Sequence, residues 1–198
     1  YADPTPEEER ELLSPHRPIV LVAKRESEIT KLVSPGLDNI GVFLPYTGMH
    51  HILFSHLRHD ALIMTSANIP GEPMVTDDER AKELNADVYL LHNQPILNRA
   101  DDTVLRMHGD RTQFLRRSRG SIPFGLEIGL QGDAVSVGAQ ENLTGSVASK
   151  GTIWPTQYIG DGEKIGVPEY LEEAIRTQMR FVGCEPGIVA MDLHPGYS

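Results

Sequence analysis

Apolar positions along this chain follow two rhythms, and the switches between them mark out its elements. Residues 5–13 (TPEEERELL) read as a short helix with its acidic residues in the first turn, where the helix dipole favours them. SPHRP breaks it. Ile19 to Lys24 (IVLVAK) is a β-branched apolar run and reads as a buried strand. SPGLDN is a turn cluster, and Gly41 to Leu44 is a short apolar segment ended by Pro45. From Thr47 to His59, Met49, Ile52, Leu53 and Leu57 return at helical spacing, with Thr47 as the cap. Ala61 to Met64 reads as a strand, residues 76–85 as a helix capped by Thr76 or Asp77, and Asp87 to Leu91 as another strand. This alternation predicts an α/β sandwich with a partly parallel sheet.

The later half changes character. Thr103 to Met107 and Gln113 to Arg117 read as two strands joined through HGDR. Residues 120–132 (GSIPFGLEIGLQG) are rich in glycine, which places a domain boundary there. After it, residues 133–161 alternate as a strand meander. Val167 to Val182 reads as a long amphipathic helix with Pro168 in its first turn. Gly187 to Leu193 reads as a strand running into His194 and Pro195. No internal repeat is visible. The expected domains are therefore 1–126 and 127–198.

Charge narrows the function classes. The chain has 198 residues and a formal net charge of −10. A general nucleic-acid binder carries a basic face, because phosphate neutralisation supplies most nonspecific affinity. A broad polyanion track is thereby disfavoured, and a local nucleotide site is not. The one cysteine, Cys184, cannot form an internal disulfide, which fits a reducing cytosol. No apolar run has the length to span a bilayer, and no basic-then-apolar leader opens the chain. The expectation is a cytoplasmic protein with neither a membrane nor a nucleic-acid partner. Its first residue is Tyr1, which suggests a piece of a longer protein.

Three segments have residue types suited to chemistry. MTSANIPGEP (Met64 to Pro73) follows an expected strand, and open α/β sheets bind ligands at that edge. Thr65 and Ser66 offer hydroxyl donors, Asn68 offers donor and acceptor, and Gly71 permits close backbone approach. On residue types alone, a Ser/Asn turn satisfying its own backbone is the simpler account. LRRSRG (Leu115 to Gly120) places three arginines in four residues within an acidic protein. Guanidinium forks suit phosphate, and charge also protects a solvated strand edge. In NRADDTVLR (Asn98 to Arg106), Asp101 and Asp102 have the chemistry for a metal or for acid–base work. A turn that they cap, or pairing with Arg99 and Arg106, explains them more simply. The histidines show no HExxH spacing, and one cysteine makes no thiolate zinc site, so no metal is expected here. His194 has a ligand role only alongside residues beyond this sequence. GxxxxGK[ST], GxGxxG and GxSxG are all missing, which removes most support for kinase, dehydrogenase and serine-hydrolase readings.

Taken in order, these pieces resemble the HypF family of hydrogenase-maturation carbamoyltransferases. Ser34 to Phe54 is similar to that family's LPYTPLHHLLF segment. MTSAN-x-xGEP follows at Met64, then AD-x-x-LLHN from Ala86, the DD[ST]V-x-R segment from Asp101, and LRRSRG-x-x-P from Leu115. VGA (Val137 to Ala139), TQYIGD (Thr156 to Asp161) and DLHPGYS (Asp192 to Ser198) resemble the opening of its transfer domain. Departures mark a divergent member: Asn142-Leu143 where a lysine-asparagine pair is usual, Tyr158 in place of a histidine, and IPG where LSG is usual.

The resemblance implies a YrdC-like twisted mixed sheet with helices. The first part of an actin-like, ribonuclease-H-like domain would follow it. It implies that carbamoyl phosphate and ATP give carbamoyl adenylate and pyrophosphate. The carbamoyl group then passes to the C-terminal cysteine of the partner HypE, on the way to the cyanide ligands of the nickel–iron centre. Carried residue by residue, Thr65, Ser66 and Asn68 match the nucleotide loop. Arg117 and Arg119 match its basic strand end, and Asp102 and Thr103 match the segment lining the same pocket. A magnesium ion would accompany the ATP; zinc or iron would belong only to regions outside this chain. The family's acylphosphatase module, zinc fingers, basic YrdC opening and HHHAH motif do not occur in these residues. The implied expectation is that the chain alone cannot complete the reaction. Other readings are a threonylcarbamoyl-adenylate synthase of tRNA modification, a noncatalytic RNA-binding module using the arginines, and a docking piece for HypE. The LPYT and DLHPGY segments speak against the first, and the net charge speaks against the second.

Overall fold

The computed structural model describes residues 1–129 and 131–197. Leu130, inside the expected boundary run 120–132, and Ser198, the end of DLHPGYS, lie outside the described residues. The chain folds as two compact units: Tyr1–Thr65 with Asp102–Ser121, and Ser66–Asp101 with Ile122–Ser198.

The first unit is built on local signals that work as read. Helix α1 (Pro6–Leu13) opens with a capping box, in which Thr5 Oγ1 accepts from the Glu8 amide and Glu8 returns a carboxylate to the Thr5 amide at 2.8 Å. Two of the helix's otherwise unpartnered first amides are thereby satisfied. Strand β1 (Ile19–Ala23) alternates in burial, with Val20 and Val22 inward and almost fully buried. Helix α2 (Glu28–Val33) is not foreseen in the sequence. It has only six residues, its apolar Ile29, Leu32 and Val33 lie exposed and pack into no core, and it stands on a second capping box between Ser27 and Thr30. Strand β2 (Asn39–Val42) is followed by α3 (Gly48–His56), which Thr47 caps as expected.

Strands β3 (Val104–His108) and β4 (Arg111–Arg116) form a tight hairpin through Gly109 and Asp110. The sheet order is β2-β1-β3-β4, with β1 parallel to β3 and the other neighbours antiparallel. A mixed sheet is what the alternating pattern predicts. Leu12 of α1 packs on Val20, Val22 and Leu105 to make the core, flanked by Ile40, Val42, Leu44 and Met107.

In the second unit, α4 (Asp78–Ala81) is capped by Asp77, whose Oδ1 accepts from the Glu79 and Arg80 amides. A 3₁₀ turn extends it to Leu84, and Asn85 closes it in the left-handed region at φ 53°. Five short strands follow: β5 (Leu126–Glu127), β6 (Ala134–Ser136), β7 (Ser146–Ser149), β8 (Thr152–Pro155) and β9 (Ile188–Ala190). Their order is β5-β8-β7-β6-β9, and only the β6–β9 pair is parallel.

Helix α5 (Val167–Val182) lies between β8 and β9, bounded by Gly166 and Gly183, both left-handed. Its stripe Val167, Tyr170, Ala174 and Ile175 recurs at three- and four-residue steps and is buried. Tyr170 and Ala174 pack with Leu143 and Ile159, while Ile175 packs with Val135, Val147 and Cys184. Gly145 lets the helix approach the sheet: a β-carbon there would sit 2.8 Å from Ile175 Cγ1.

Two expected strands are overturned. Residues 61–64 and 87–91 pair with no strand among the described residues. A strand exists by sharing its amides and carbonyls with a neighbour. Without that ladder, these runs form no regular element, and Ile63, Val88 and Leu90 are largely exposed. The strand expected over Gly187 to Leu193 contracts to Ile188–Ala190, the length over which β6 offers partners.

Candidate functional site

The candidate residues fall into two groups, one in each unit. Thr65 ends the first stretch of the first unit, and Ser66 opens the second unit.

The loop from Ser66 to Val75 is tied to itself. Ser66 Oγ donates to Asn68 Oδ1 at 2.5 Å. Asn68 Nδ2 donates to the carbonyls of Ile69 and Glu72, at 3.0 and 3.2 Å. The Val75 amide closes the loop on the Ala67 carbonyl at 2.9 Å. Asn68 therefore spends its side chain bracing the loop, as a self-satisfied turn would. Thr65 and Ser66 remain exposed, so their hydroxyls can reorient towards a ligand. Gly71 is left-handed at φ 86°. The space its missing β-carbon leaves is crossed by the Lys164 side chain, with Cδ 3.3 Å from that position.

The arginine-rich end of β4 is organised from β3. Thr103, 1% exposed, accepts at Oγ1 from the Ser118 amide and donates to the Arg119 carbonyl at 2.9 Å. Arg119 Nε donates to Asp102 Oδ1 at 2.7 Å. Its Nη1 and Nη2 donate to the His16 and Arg17 carbonyls at 3.1 and 2.8 Å. Its guanidinium also lies 3.6 Å from the Tyr46 ring centroid. Burial, and then the Asp102 charge, push the Tyr46 phenol above its ordinary value, against the opposing pull of Arg119. Arg119 thus holds a strand end together. Asp102 serves it as ion-pair partner, in place of the Arg99 and Arg106 that the sequence suggests for it: Arg106 Nε donates to Gln113 Oε1 and Arg99 Nε to the Met74 carbonyl. Arg117 lies half-buried on the same strand end, its guanidinium 5.9 Å from the Phe114 ring. Thr103, Asp102 and Arg119 are brought together; Ser66 and Asn68 form the separate loop.

A third constellation was not singled out in the sequence. Gln157, buried within TQYIGD, donates from Nε2 to Tyr170 Oη at 2.9 Å, and Tyr170 Oη donates to the Arg99 carbonyl at 3.2 Å. The Arg99 guanidinium lies 5.0 Å from the Tyr170 ring centroid, and its Nε donates to the Met74 carbonyl at 2.6 Å. Burial pushes the Tyr170 phenol up to about 12, with Gln157 opposing. In sequence Tyr170 is one apolar position in a helical stripe, so nothing distinguishes it from ordinary core.

Among the described residues there is no group of three or more His, Cys, Asp or Glu side chains able to hold a metal ion. His194 Nδ1 accepts from the Gly196 amide, and its ring stacks on Tyr197. Among the described residues, no helix is long and apolar enough to cross a membrane.

Comparison with known proteins bears on both parts. Residues 1–118 match the Sua5/YciO/YrdC family model, described as telomere recombination, and residues 130–198 match the HypF Kae1-like domain. The chain is 40% identical over 207 residues to the probable carbamoyltransferase HypF of Methanocaldococcus jannaschii, with all of this chain and 27% of that protein covered. It is 36% identical to carbamoyltransferase HypF of Rhizobium leguminosarum bv. viciae, with 99% of this chain and 27% of that protein covered. The crystal structure of T. kodakarensis HypF superposes with a TM-score of 0.92 at 43% identity, covering 100% of this chain and 26% of that one. A full-length HypF solved in a phosphate- and nucleotide-bound form gives 0.91 at 34% identity, covering 100% and 32%. The chain thus spans about a quarter of the length of the curated relatives it matches.

Proposed function

Since this chain belongs to the Sua5/YciO/YrdC family over residues 1–118, and along its whole length to the HypF family, we propose that it is the part of a carbamoyltransferase in which nucleotide activation meets carbamoyl transfer. Carbamoyl phosphate would first lose its phosphate to water, giving carbamate and inorganic phosphate; a carbamate oxygen would then attack the α-phosphorus of ATP, giving carbamoyl adenylate as pyrophosphate leaves. The carbamoyl carbon would then pass to a cysteine sulfur at the C-terminus of HypE as AMP leaves. This would serve nickel–iron hydrogenase maturation in the cytoplasm. Residues 1–126 would belong to the nucleotide step and 127–198 to transfer.

The observation that carries this reading is the continuous match of both parts, in order, to a HypF solved with phosphate and nucleotide. The local chemistry supports it. Adenylation builds negative charge on the α-phosphate as pyrophosphate departs, and preformed donors lower that barrier. Thr65 offers a hydroxyl of that kind, and the Ser66 hydroxyl becomes one on turning away from Asn68 Oδ1, in the loop that Asn68 braces. Arg117 brings a guanidinium suited to phosphate. Arg119, Asp102 and Thr103 would hold its strand end in shape. This donor set suits phosphate oxygens better than a bare cation, so magnesium would arrive carried by the triphosphate.

The test is calorimetric titration of ATP–magnesium into the chain. Saturable binding is expected, weakened about tenfold or more in Asn68→Ala and in Arg117→Ala, each variant probing its own group. Full affinity in both variants, or no binding to the unaltered chain, overturns the assignment.

A further inference from the structure

The segment 66–101 carries the proposed nucleotide loop and falls within the family match at 1–118. Yet it folds into one compact unit with residues 122–198, which hold the Kae1-like match. A continuous polar path explains how it is held. It runs from Gln157 Nε2 to Tyr170 Oη (2.9 Å), from Tyr170 Oη to the Arg99 carbonyl (3.2 Å), and from Arg99 Nε to the Met74 carbonyl (2.6 Å). The next residue, Val75, donates its amide to Ala67, in the middle of TSAN, at 2.9 Å.

The path is anchored in the core at its far end. Gln157 is 9% exposed and Tyr170 6%. Glu173, one helical turn after Tyr170, pairs with Arg99 at 3.7 Å. The loop is gripped a second time at its tip. There the Lys164 stem crosses Gly71, and a β-carbon on Gly166 would lie 3.8 Å from Pro73.

We propose that Gln157, Tyr170 and Arg99 are positioning residues through which the Kae1-like part of the chain sets the conformation of the TSAN loop. The inference rests on the nucleotide reading above for what the loop does, but not for how it is held. Its chemistry is specific. Tyr170 must both accept from Gln157 and donate to a carbonyl, a double role no apolar core residue can fill. Arg99 must offer Nε in a fixed plane, which a lysine cannot reproduce. Through this arrangement, whatever orders α5 and the TQYIGD turn also orders the loop, and nucleotide bound at the loop stiffens the turn in return. A hydrogen-bond path does not by itself amount to coupling, so the test reads the loop directly.

The experiment is amide hydrogen exchange on the whole 198-residue chain, with Tyr170→Phe and Arg99→Lys beside it. The reporters are the Asn68, Glu72 and Val75 amides, all hydrogen-bonded within the loop. The β7–β8 ladder is the internal control. Tyr170→Phe loses two hydrogen bonds of the path and Arg99→Lys one, so the three reporters should exchange about fivefold to tenfold faster, Tyr170→Phe at least as much as Arg99→Lys, while β7–β8 is unchanged. ATP–magnesium affinity should fall by a similar factor. Unchanged reporters overturn the proposal. An equal rise in β7–β8 also overturns it, because it shows a general loss of packing. Should Tyr170→Phe fold poorly, Arg99→Lys, which alters a half-buried side chain outside the core, carries the same test. Faster reporters in a chain that binds no ATP at all would sustain the positioning role and remove the nucleotide reading.

Discussion

Arg119 shows how a residue type acquires its role from what surrounds it. In sequence it belongs to a cluster of arginines suited to phosphate. In the fold, three of its donors go to Asp102 and to the His16 and Arg17 carbonyls. Arg119→Ala should therefore act first on stability. Removing one partner of a mostly buried charge pair and orphaning two carbonyls costs roughly 2–4 kcal/mol. The expected outcome is a clear fall in the midpoint of chemical denaturation, with Arg119→Lys recovering only part of it. Gly120, beside it at φ 82°, would place a β-carbon 2.8 Å from the His16 carbonyl oxygen. Only glycine suits that turn.

Tyr170 makes a pH prediction at the same scale. Its phenol is raised from 10 to about 12, chiefly by burial. A group raised on folding contributes stability that is complete below its unfolded value and is lost as pH rises through its folded value. Stability should thus decline between about pH 10 and pH 12. The contribution lost is roughly 2–3 kcal/mol. Tyr170→Phe should be less stable at neutral pH and show a flatter decline over that window, read by urea melts at each pH. The Cys184 thiol, 5% exposed, is also raised, first by burial and then by the Asp133 charge. It should resist alkylation until the second unit unfolds.

At the scale of elements, the long helix α5 is set by close approach to its sheet. Gly145 leaves no room for a side chain beneath Ile175 and Leu171. Gly145→Ala should push the helix outward at a cost of about 1–3 kcal/mol, and trimming Ile175 to Val should recover part of that stability. The helices were legible because their signals are local. Thr5 with Glu8, Thr47, Asp77, and the Pro168–Gly183 bracket each satisfy or end a helix within a few residues. The six-residue α2 was not legible, since its three apolar residues, Ile29, Leu32 and Val33, make less than two turns of pattern and its capping box closes on Thr30 instead of the usual Glu or Gln. The strands at 61–64 and 87–91 were misread for the opposite reason. Their composition is strand-like, but pairing is a property of two segments, and among the described residues no partner joins either run.

At the scale of the whole molecule, those unpaired runs have a consequence in solution. Ile63, Val88 and Leu90 are 74%, 82% and 76% exposed. Exposed apolar runs with unpaired backbone invite association. The chain should bind a hydrophobic dye and associate as its concentration rises, seen by light scattering, and Val88→Lys with Leu90→Lys should reduce both. The amino-acid sequence alone determined the family, from motifs kept in order across both parts. It also determined the ends of α1 and α5, the caps of α3 and α4, and the mixed α/β character, because each rests on residues close together in the chain. Tertiary structure decided which strands exist, and it turned Arg119 inward to Asp102 and two backbone carbonyls. It also made Tyr170 a link between TQYIGD and TSAN instead of plain core. These outcomes depend on groups tens of residues apart meeting within hydrogen-bond distance, and local periodicity carries no record of such meetings.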